Sequence, residues 1–292
     1  MKVACEPAEL QSAERSVAVG SFDGVHRGHE RVLAAVRSAP ELVPTVVTFS
    51  PHPRAVLGNQ VELLSTLERR LELLAAAGIA EALVVEFTPE LAAMAPEEFA
   101  RELLLAIGTC RVAAGPDFRF GRARSGDLGL LERLGFAVER VPPLAGVSST
   151  AIRSLVRAGE VEAAARLLGR PVELEGTVVA GDARGGTLGY PTANLRLEPD
   201  LLVPAYGIYA GAAGRYKAAV SVGTNPHYGG RERRVEAFLL DFEGDLYGRR
   251  LVLQLWRRLR EERAFGSEEE LVAQIGRDVA ETRRSEPPPR EA

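Results

Sequence analysis

Lysine is almost missing from this chain. Lys2 and Lys217 are the whole supply, so nearly all positive charge is arginine. No Gly-Lys-Ser or Gly-Lys-Thr occurs anywhere, which excludes a Walker A phosphate loop. Any chemistry on ATP needs another cradle. Cysteine is as scarce: Cys5 and Cys110 are too few and too far apart for a zinc site or a disulfide framework. No apolar run approaches the ~20 residues of a membrane span. Met1 to Ser16 lacks the apolar core behind a basic patch that marks a signal peptide. The expected location is the cytoplasm, with no membrane partner. A basic coat is also lacking, since the formal net charge is -4. That argues against a nucleic-acid-binding surface, and no helix-turn-helix is evident.

What is present is ordinary globular composition, with 46% apolar and 26% charged residues. The 292 residues suggest two domains, at roughly 100–200 residues each. The first half alternates strand-like runs (Val17 to Phe22, Thr45 to Phe49, Ala82 to Phe87, Arg111 to Ala114, Phe136 to Val141) with helical patterns. Ser65 and Glu68 read as a capping box ahead of Leu67, Leu71 and Leu74, and Gly78 ends that helix. A second helix runs from Pro96 to Gly108. The alternation predicts a parallel sheet with helices on both faces, and ligands at the carboxyl ends of its strands. Ser148 to Leu168 reads as two short helices. Gly169-Arg170-Pro171 is the expected boundary, giving domains 1–169 and 170–284. Beyond it, strand-like runs (Val172 to Ala180, Ile208 to Ala212, Tyr216 to Val222, Arg234 to Asp241, Arg250 to Trp256) are separated by turn residues. A final helix begins at Ser267, with Leu271, Ile275 and Val279 on one face. This predicts a small antiparallel barrel with a C-terminal helix. Residues 285–292 read as a disordered tail.

Two constellations carry chemistry. In the first half, Gly20-Ser21-Phe22-Asp23-Gly24-Val25-His26-Arg27-Gly28-His29 follows a strand and opens a helix. Free N–H groups and the positive dipole end at a helix start suit phosphate. His26 and His29, three apart, share one side of the first turn. The alternative is a tight turn with two incidental histidines. Against it, the chain has four histidines, two of them here and His52 at the end of the next strand. A histidine zinc site lacks Cys, Asp or Glu at fitting spacing. Gly115-Pro116-Asp117-Phe118-Arg119-Phe120-Gly121, then Arg122 and Arg124, combines aromatics and arginines suited to a planar ligand and its phosphate; a structural loop is the alternative. Ser148-Ser149-Thr150, then Arg153, offers hydroxyls and a cation at a helix start, or simply an N-cap.

The second constellation runs from Gly181 through Arg184, Gly185, Gly186 and Gly189 to Pro191-Thr192-Ala193-Asn194. In an extended segment Thr192 and Asn194 face the same side, so both could reach one hard cation. A glycine-rich turn followed by a polar strand face is the alternative.

Together these stretches resemble the prokaryotic bifunctional riboflavin kinase/FAD synthetase (FMN adenylyltransferase) family. Gly20 to His29, Phe118 to Gly121 and Ser148 to Arg153 are similar to motifs of its adenylyltransferase module, which has a Rossmann-like nucleotidyltransferase fold. The stretch ending in Pro191-Thr192-Ala193-Asn194 is similar to the riboflavin kinase signature. The likeness continues through Gly207-Ile208-Tyr209, Val222 to Pro226, Val235-Glu236 and Asp245 to Gly248. Ala151 and Gly186 depart from it, each standing where many members carry a basic residue.

The resemblance implies ATP, riboflavin and FMN as substrates, with Mg²⁺. It implies phosphate binding by Gly20, Phe22, Asp23, Gly24, His26, Gly28, His29, Ser148, Ser149, Thr150 and Arg153. Asp117, Phe118 and Arg119 would lie beside the flavin of the first site. Gly181, Arg184, Gly185, Gly189, Thr192 and Asn194 would hold the kinase nucleotide, Thr192 and Asn194 also the metal. Glu236 would be the general base, with Arg260 and Phe265 beside the flavin. His26 and His29 would be the catalytic groups of adenylyl transfer, in which the FMN phosphate attacks the α-phosphorus of ATP in line. That step needs positioning and charge stabilisation rather than a protein nucleophile.

Overall fold

The computed structural model describes residues 1–180, 190–224 and 233–289. Gly181, Arg184, Gly185 and Gly189 lie outside the described residues, as does Gly186. The chain divides into two compact units: residues 1–61 with 67–147, and residues 62–66 with 148–292.

The first unit is an all-parallel sheet of β1 (Lys2–Ala4), β2 (Arg15–Val19), β3 (Val43–Ser50), β4 (Glu81–Glu86), β5 (Thr109–Ala114) and β6 (Ala137–Arg140). The order is β1-β4-β3-β2-β5-β6. Every residue of β2 is buried, as expected of a central strand covered on both faces. Arg15 belongs there because its guanidinium bonds Glu81 at 2.7 Å and the Gln11 carbonyl at 2.7 Å. On one face Ala18, Val46 and Ala113 meet Leu33 and Val36 of α1 (Arg27–Arg37) and Leu74 of α3 (Leu67–Ala76). Between these two helices in sequence comes the short α2 (Pro53–Val56). On the other face Val17, Val19, Val47 and Val112 meet α4 (Pro89–Ala93), α5 (Pro96–Phe99), a π-helical turn (Ala100–Leu105) and α6 (Leu128–Arg133). Fully burying one such leucine or valine contributes roughly 1.5–3 kcal/mol. The chain moves from β2 outward to β3 and β4, then returns to β5 on the other side of β2. That reversal opens a crevice at the carboxyl ends of β2 and β5, the position where α/β sheets hold ligands.

The second unit is a closed antiparallel barrel of β7 (Val172–Val179), β8 (Ala193–Leu197), β9 (Gly207–Ala213), β10 (Tyr216–Thr224), β11 (Arg233–Leu239) and β12 (Arg250–Arg260), in the order β10-β11-β8-β7-β12-β9. A long helix, α9 (Glu268–Arg284), packs against β9 and β10. Ser267 caps it, accepting from the Glu270 amide.

Four features differ from expectation. α7 (Ser149–Ala158) and α8 (Val161–Leu168) pack with the barrel: Ile152, Val156, Val161, Ala164 and Leu168 join Leu174, Val220 and Leu255 in one core. Gly169-Arg170-Pro171 therefore marks the start of the first barrel strand, while the packing divides at Val147/Ser148. The reason is that both helices have an apolar face that only the barrel covers. Second, Glu62–Thr66 is stitched to the second unit. Leu63 N donates to Asp200 O at 2.6 Å, Leu202 N to Leu63 O at 2.8 Å, and Thr66 Oγ1 to the buried Glu175 carboxylate at 2.6 Å. Third, β8 forms directly after the glycine-rich stretch. Fourth, the expected tail is held at its start: Lys217 Nζ donates to Ser285 O at 2.8 Å and pairs with Glu286 at 2.9 Å, because a lysine here caps the last carbonyls of α9.

Candidate functional site

The loop after β2 sits at the sheet's crevice. Gly20 ends the strand, its N–H bonded to Val47 O at 3.0 Å. Phe22, Gly24 and Val25 then adopt positive φ angles of 48°, 77° and 36°. Glycine adopts that region freely, but for the β-branched Val25 it costs roughly 1–3 kcal/mol. The conformation persists because the loop is buried and tied: Phe22, Asp23 and Val25 are all nearly inaccessible. Asp23 interacts electrostatically with Arg70 of α3, which is itself 2% exposed. Burial pulls the Arg70 guanidinium below its ordinary pKa, and the Asp23 carboxylate pushes it back. Arg70 donates to Phe49 O at 3.1 Å and Thr48 Oγ1 at 3.3 Å, and Thr48 in turn bonds Ser21 O. The ends of β2 and β3 are thereby locked together.

The loop delivers His26 to the N-cap of α1. His26 Nδ1 accepts from His29 N at 3.2 Å, and His29 Nδ1 accepts from His26 N at 3.3 Å. The two imidazoles form a reciprocal capping box, stacked with centroids 3.6 Å apart. With both Nδ1 atoms accepting, each neutral ring carries its proton on Nε2 and is a donor there. Gly28 permits the stack: a Cβ at that position would stand 3.1 Å from the His26 ring. Phe22 packs edge-on against His29 at 5.1 Å. Gly20, Phe22, Asp23, Gly24, His26, Gly28 and His29 are therefore one structure.

Asp117, Phe118 and Arg119 follow β5, the neighbour of β2, so they lie at the same edge of the sheet. Asp117 and Arg119 are exposed, and Phe118 stacks on Phe120. Gly126 is needed here for packing, since a Cβ would meet Pro96 at 2.6 Å and the Phe120 ring at 2.9 Å. In the second unit, Ser148 is the N-cap of α7, accepting from Ala151 N at 3.2 Å. Thr150 is exposed and Ser149 half-buried. Arg153 is buried, with Nε donated to Glu62 O at 2.7 Å, so part of its guanidinium holds the Glu62–Thr66 segment.

The barrel carries the second cluster. Pairing of β8 with β11 sets Asn194 directly opposite Glu236. Thr192 Oγ1 donates to Glu236 Oε2 at 3.3 Å. Arg234 Nε pairs with Glu236 Oε1 and donates to Asn194 Oδ1 at 2.8 Å. Thr192, Asn194 and Glu236 are oxygen donors of the hard kind that Mg²⁺ takes. Among the described residues no group of three or more His, Cys, Asp or Glu is placed to hold a metal. Beside this cluster is a cavity lined by Tyr190, Thr192, Glu236, Phe238, Arg260 and Phe265, with Leu271, Ile275 and Val279 of α9 along one wall. Arg260 is held by Asp278 in a forked ion pair, its Nη2 2.7 Å from Oδ2, and Gln274 donates to the same carboxylate at 2.8 Å. Phe265 lies under Arg260 and Arg263. A second cavity, lined by Val178, Ala193, Phe242, Leu246 and Tyr247, also reaches Thr192. Thr192 thus stands between an aromatic cavity and a neighbouring one.

Sequence reasoning missed Arg70, Arg234 and Asp278. Arg234 carried a usable signal, since it lies two residues before Glu236 on one strand face. The other two become recognisable only through partners distant in sequence.

A model of the FAD synthetase family matches residues 9–155, and a model of the riboflavin kinase family matches residues 168–286. A bifunctional riboflavin kinase/FMN adenylyltransferase of Listeria monocytogenes is 34% identical over 94% of this chain and 93% of its own length. One from Escherichia coli K12 is 35% identical over 89% of each. A solved structure described as a macrolide-efflux protein from Streptococcus pneumoniae is 31% identical, with a TM-score of 0.87, covering 97% of this chain and 99% of that one. That description is of the pneumococcal protein; among the described residues here no helix is long and apolar enough to cross a membrane. With both family models matched in this order and bifunctional relatives aligned along nearly all of its length, the chain belongs to the bifunctional riboflavin kinase/FMN adenylyltransferase family.

Proposed function

We propose that this chain phosphorylates riboflavin to FMN and then adenylylates FMN to FAD, using ATP for both steps and releasing pyrophosphate in the second. The adenylyltransferase part is 1–169 and the kinase part 170–284, with 285–292 as a tail and the cytoplasm as the place of action. The observation that carries the kinase reading is the Thr192–Asn194–Glu236 cluster beside an aromatic cavity. A carboxylate there takes the proton of the ribityl hydroxyl as that oxygen attacks the terminal phosphorus of ATP and ADP leaves. Thr192 and Asn194 are the residues that would hold Mg²⁺, which when bound offsets charge on the phosphate oxygens. Arg260, fixed by Asp278, and Phe265 border the cavity on the flavin side.

For adenylyl transfer, the N-terminus of α1 and the Nε2–H donors of His26 and His29 stabilise the phosphate charge as FMN attacks ATP. One preorganised donor of this kind contributes about 3–4 kcal/mol. The family resemblance assigns Ser148, Ser149, Thr150 and Arg153 to phosphate binding, and Asp117, Phe118 and Arg119 to the flavin. The test is incubation of the full chain with riboflavin, ATP and Mg²⁺ and chromatographic separation of the flavins. FMN followed by FAD is expected. Riboflavin left unchanged, with supplied FMN also unchanged, overturns the reading.

A further inference from the structure

Arg234 stands among the residues assigned to the kinase cation and proton, and no role has yet been given to it. Its Nε faces Asn194 Oδ1 at 2.8 Å and forms an ion pair with Glu236 Oε1. The other Glu236 oxygen accepts from Thr192. Two oxygen-bearing side chains therefore converge on one positive group, and a third, Thr192, bonds one of them. The arrangement is built into the backbone, because β8–β11 pairing sets Asn194 opposite Glu236 and alternation puts Arg234 on the Glu236 face. The same oxygens are the donor set for a divalent ion. The two cations exclude each other: Asn194 Oδ1 is directed at the guanidinium, and a divalent charge a few ångströms from a guanidinium is repelled by it.

We propose that Arg234 is the resident cation of this site. It holds Asn194 and Glu236 in place before the nucleotide arrives, and it competes with the divalent metal for the same oxygens. The side chain is 23% exposed and rooted on the strand itself, so it can swing outward without moving the backbone. The proposal rests on the riboflavin kinase reading of this cluster. It predicts a sign that a merely structural arginine does not give: removing Arg234 strengthens metal binding.

The experiment is a Mn²⁺ titration of the full chain followed by water-proton relaxation. Mn²⁺ still bound by Asn194→Ala is subtracted to isolate the barrel site. Arg234→Met is expected to bind Mn²⁺ roughly tenfold or more tightly, the size of one lost hydrogen bond to a charged group. Arg234→Lys, which keeps a shorter cation, falls between wild type and Arg234→Met. A urea unfolding transition of the barrel matching that of the wild type reports that the variant is folded. Arg234→Gln, which donates to the same oxygens without charge, is read the same way and serves if Arg234→Met is damaged. Unchanged or weaker Mn²⁺ binding in either folded variant overturns the proposal. If the wild-type chain makes no FMN from riboflavin, the functional reading fails instead, and the titration still decides whether Arg234 competes with a cation.

Discussion

Replacing His26 separates its two jobs. Its Nδ1 caps α1 by accepting from His29 N at 3.2 Å, and its Nε2–H is assigned to the nucleotide phosphates. His26→Ala removes both. Loss of an N-cap costs about 1 kcal/mol of stability. Loss of the phosphate donor costs about 3–4 kcal/mol of barrier. At 1.36 kcal/mol per factor of ten, that is a fall of roughly 10²–10³ in FAD formation. His26→Asn keeps the cap, because asparagine is among the strongest N-cap residues. It carries no donor at the position of Nε2. The asparagine variant is therefore expected to unfold in urea close to the wild type, yet to lose FMN adenylylation as fully as the alanine variant. The assay is chromatographic FAD formation from supplied FMN, with riboflavin phosphorylation as an internal control. An asparagine variant that makes FAD at the wild-type rate would reduce His26 to a capping residue and refute the reasoning.

Glu236→Gln is expected to lower FMN formation by roughly 10²–10⁴ while supplied FMN is still converted to FAD, because the amide cannot take the hydroxyl proton. Near-normal phosphorylation would remove Glu236 from the chemistry. Arg70→Met removes a buried positive charge that acts on Asp23 and the hydrogen bonds to Phe49 O and Thr48 Oγ1, and should destabilise the first unit by about 1–3 kcal/mol in urea unfolding. Adding Asp23→Asn should recover part of that loss, and no recovery would refute the pairing. A fragment beginning at Ser148 should be more soluble and better at making FMN than one beginning at Arg170, since α7 and α8 supply part of the barrel core. Equal behaviour of the two fragments would contradict that packing.

Much of the fold was legible because the strands of the first unit are β-branched runs broken by Gly and Pro. β2, β3, β4 and β5 all appear within a few residues of the expected runs. The phosphate loop was legible for a different reason: its glycines and histidines are contiguous, so chemistry and geometry are encoded in one stretch. β8 was hidden because it is short and polar at its start, and its strand identity comes from pairing with β7 and β11. The boundary at Gly169 follows composition, which changes where the barrel strands begin, whereas packing follows the apolar faces of α7 and α8. Arg70 was invisible as a functional residue because its helix read as a row of leucines. Nothing local tells that one of its arginines is buried within electrostatic reach of Asp23.

The Glu62–Thr66 segment has a consequence for how this polypeptide can be taken apart. The second unit is not one continuous stretch of gene, because the chain enters it, leaves it and enters it again. A cut at Val147/Ser148 therefore separates the barrel from a piece of itself. Glu175 would keep Arg250 but lose Thr66, and Leu63 would lose its backbone partners Asp200 and Leu202. A C-terminal half expressed from its own gene is then not an independent module, because a piece of its packing stays behind in the other half. A synthetic peptide spanning residues 62–66 supplied to the C-terminal half is the smallest piece able to restore those contacts.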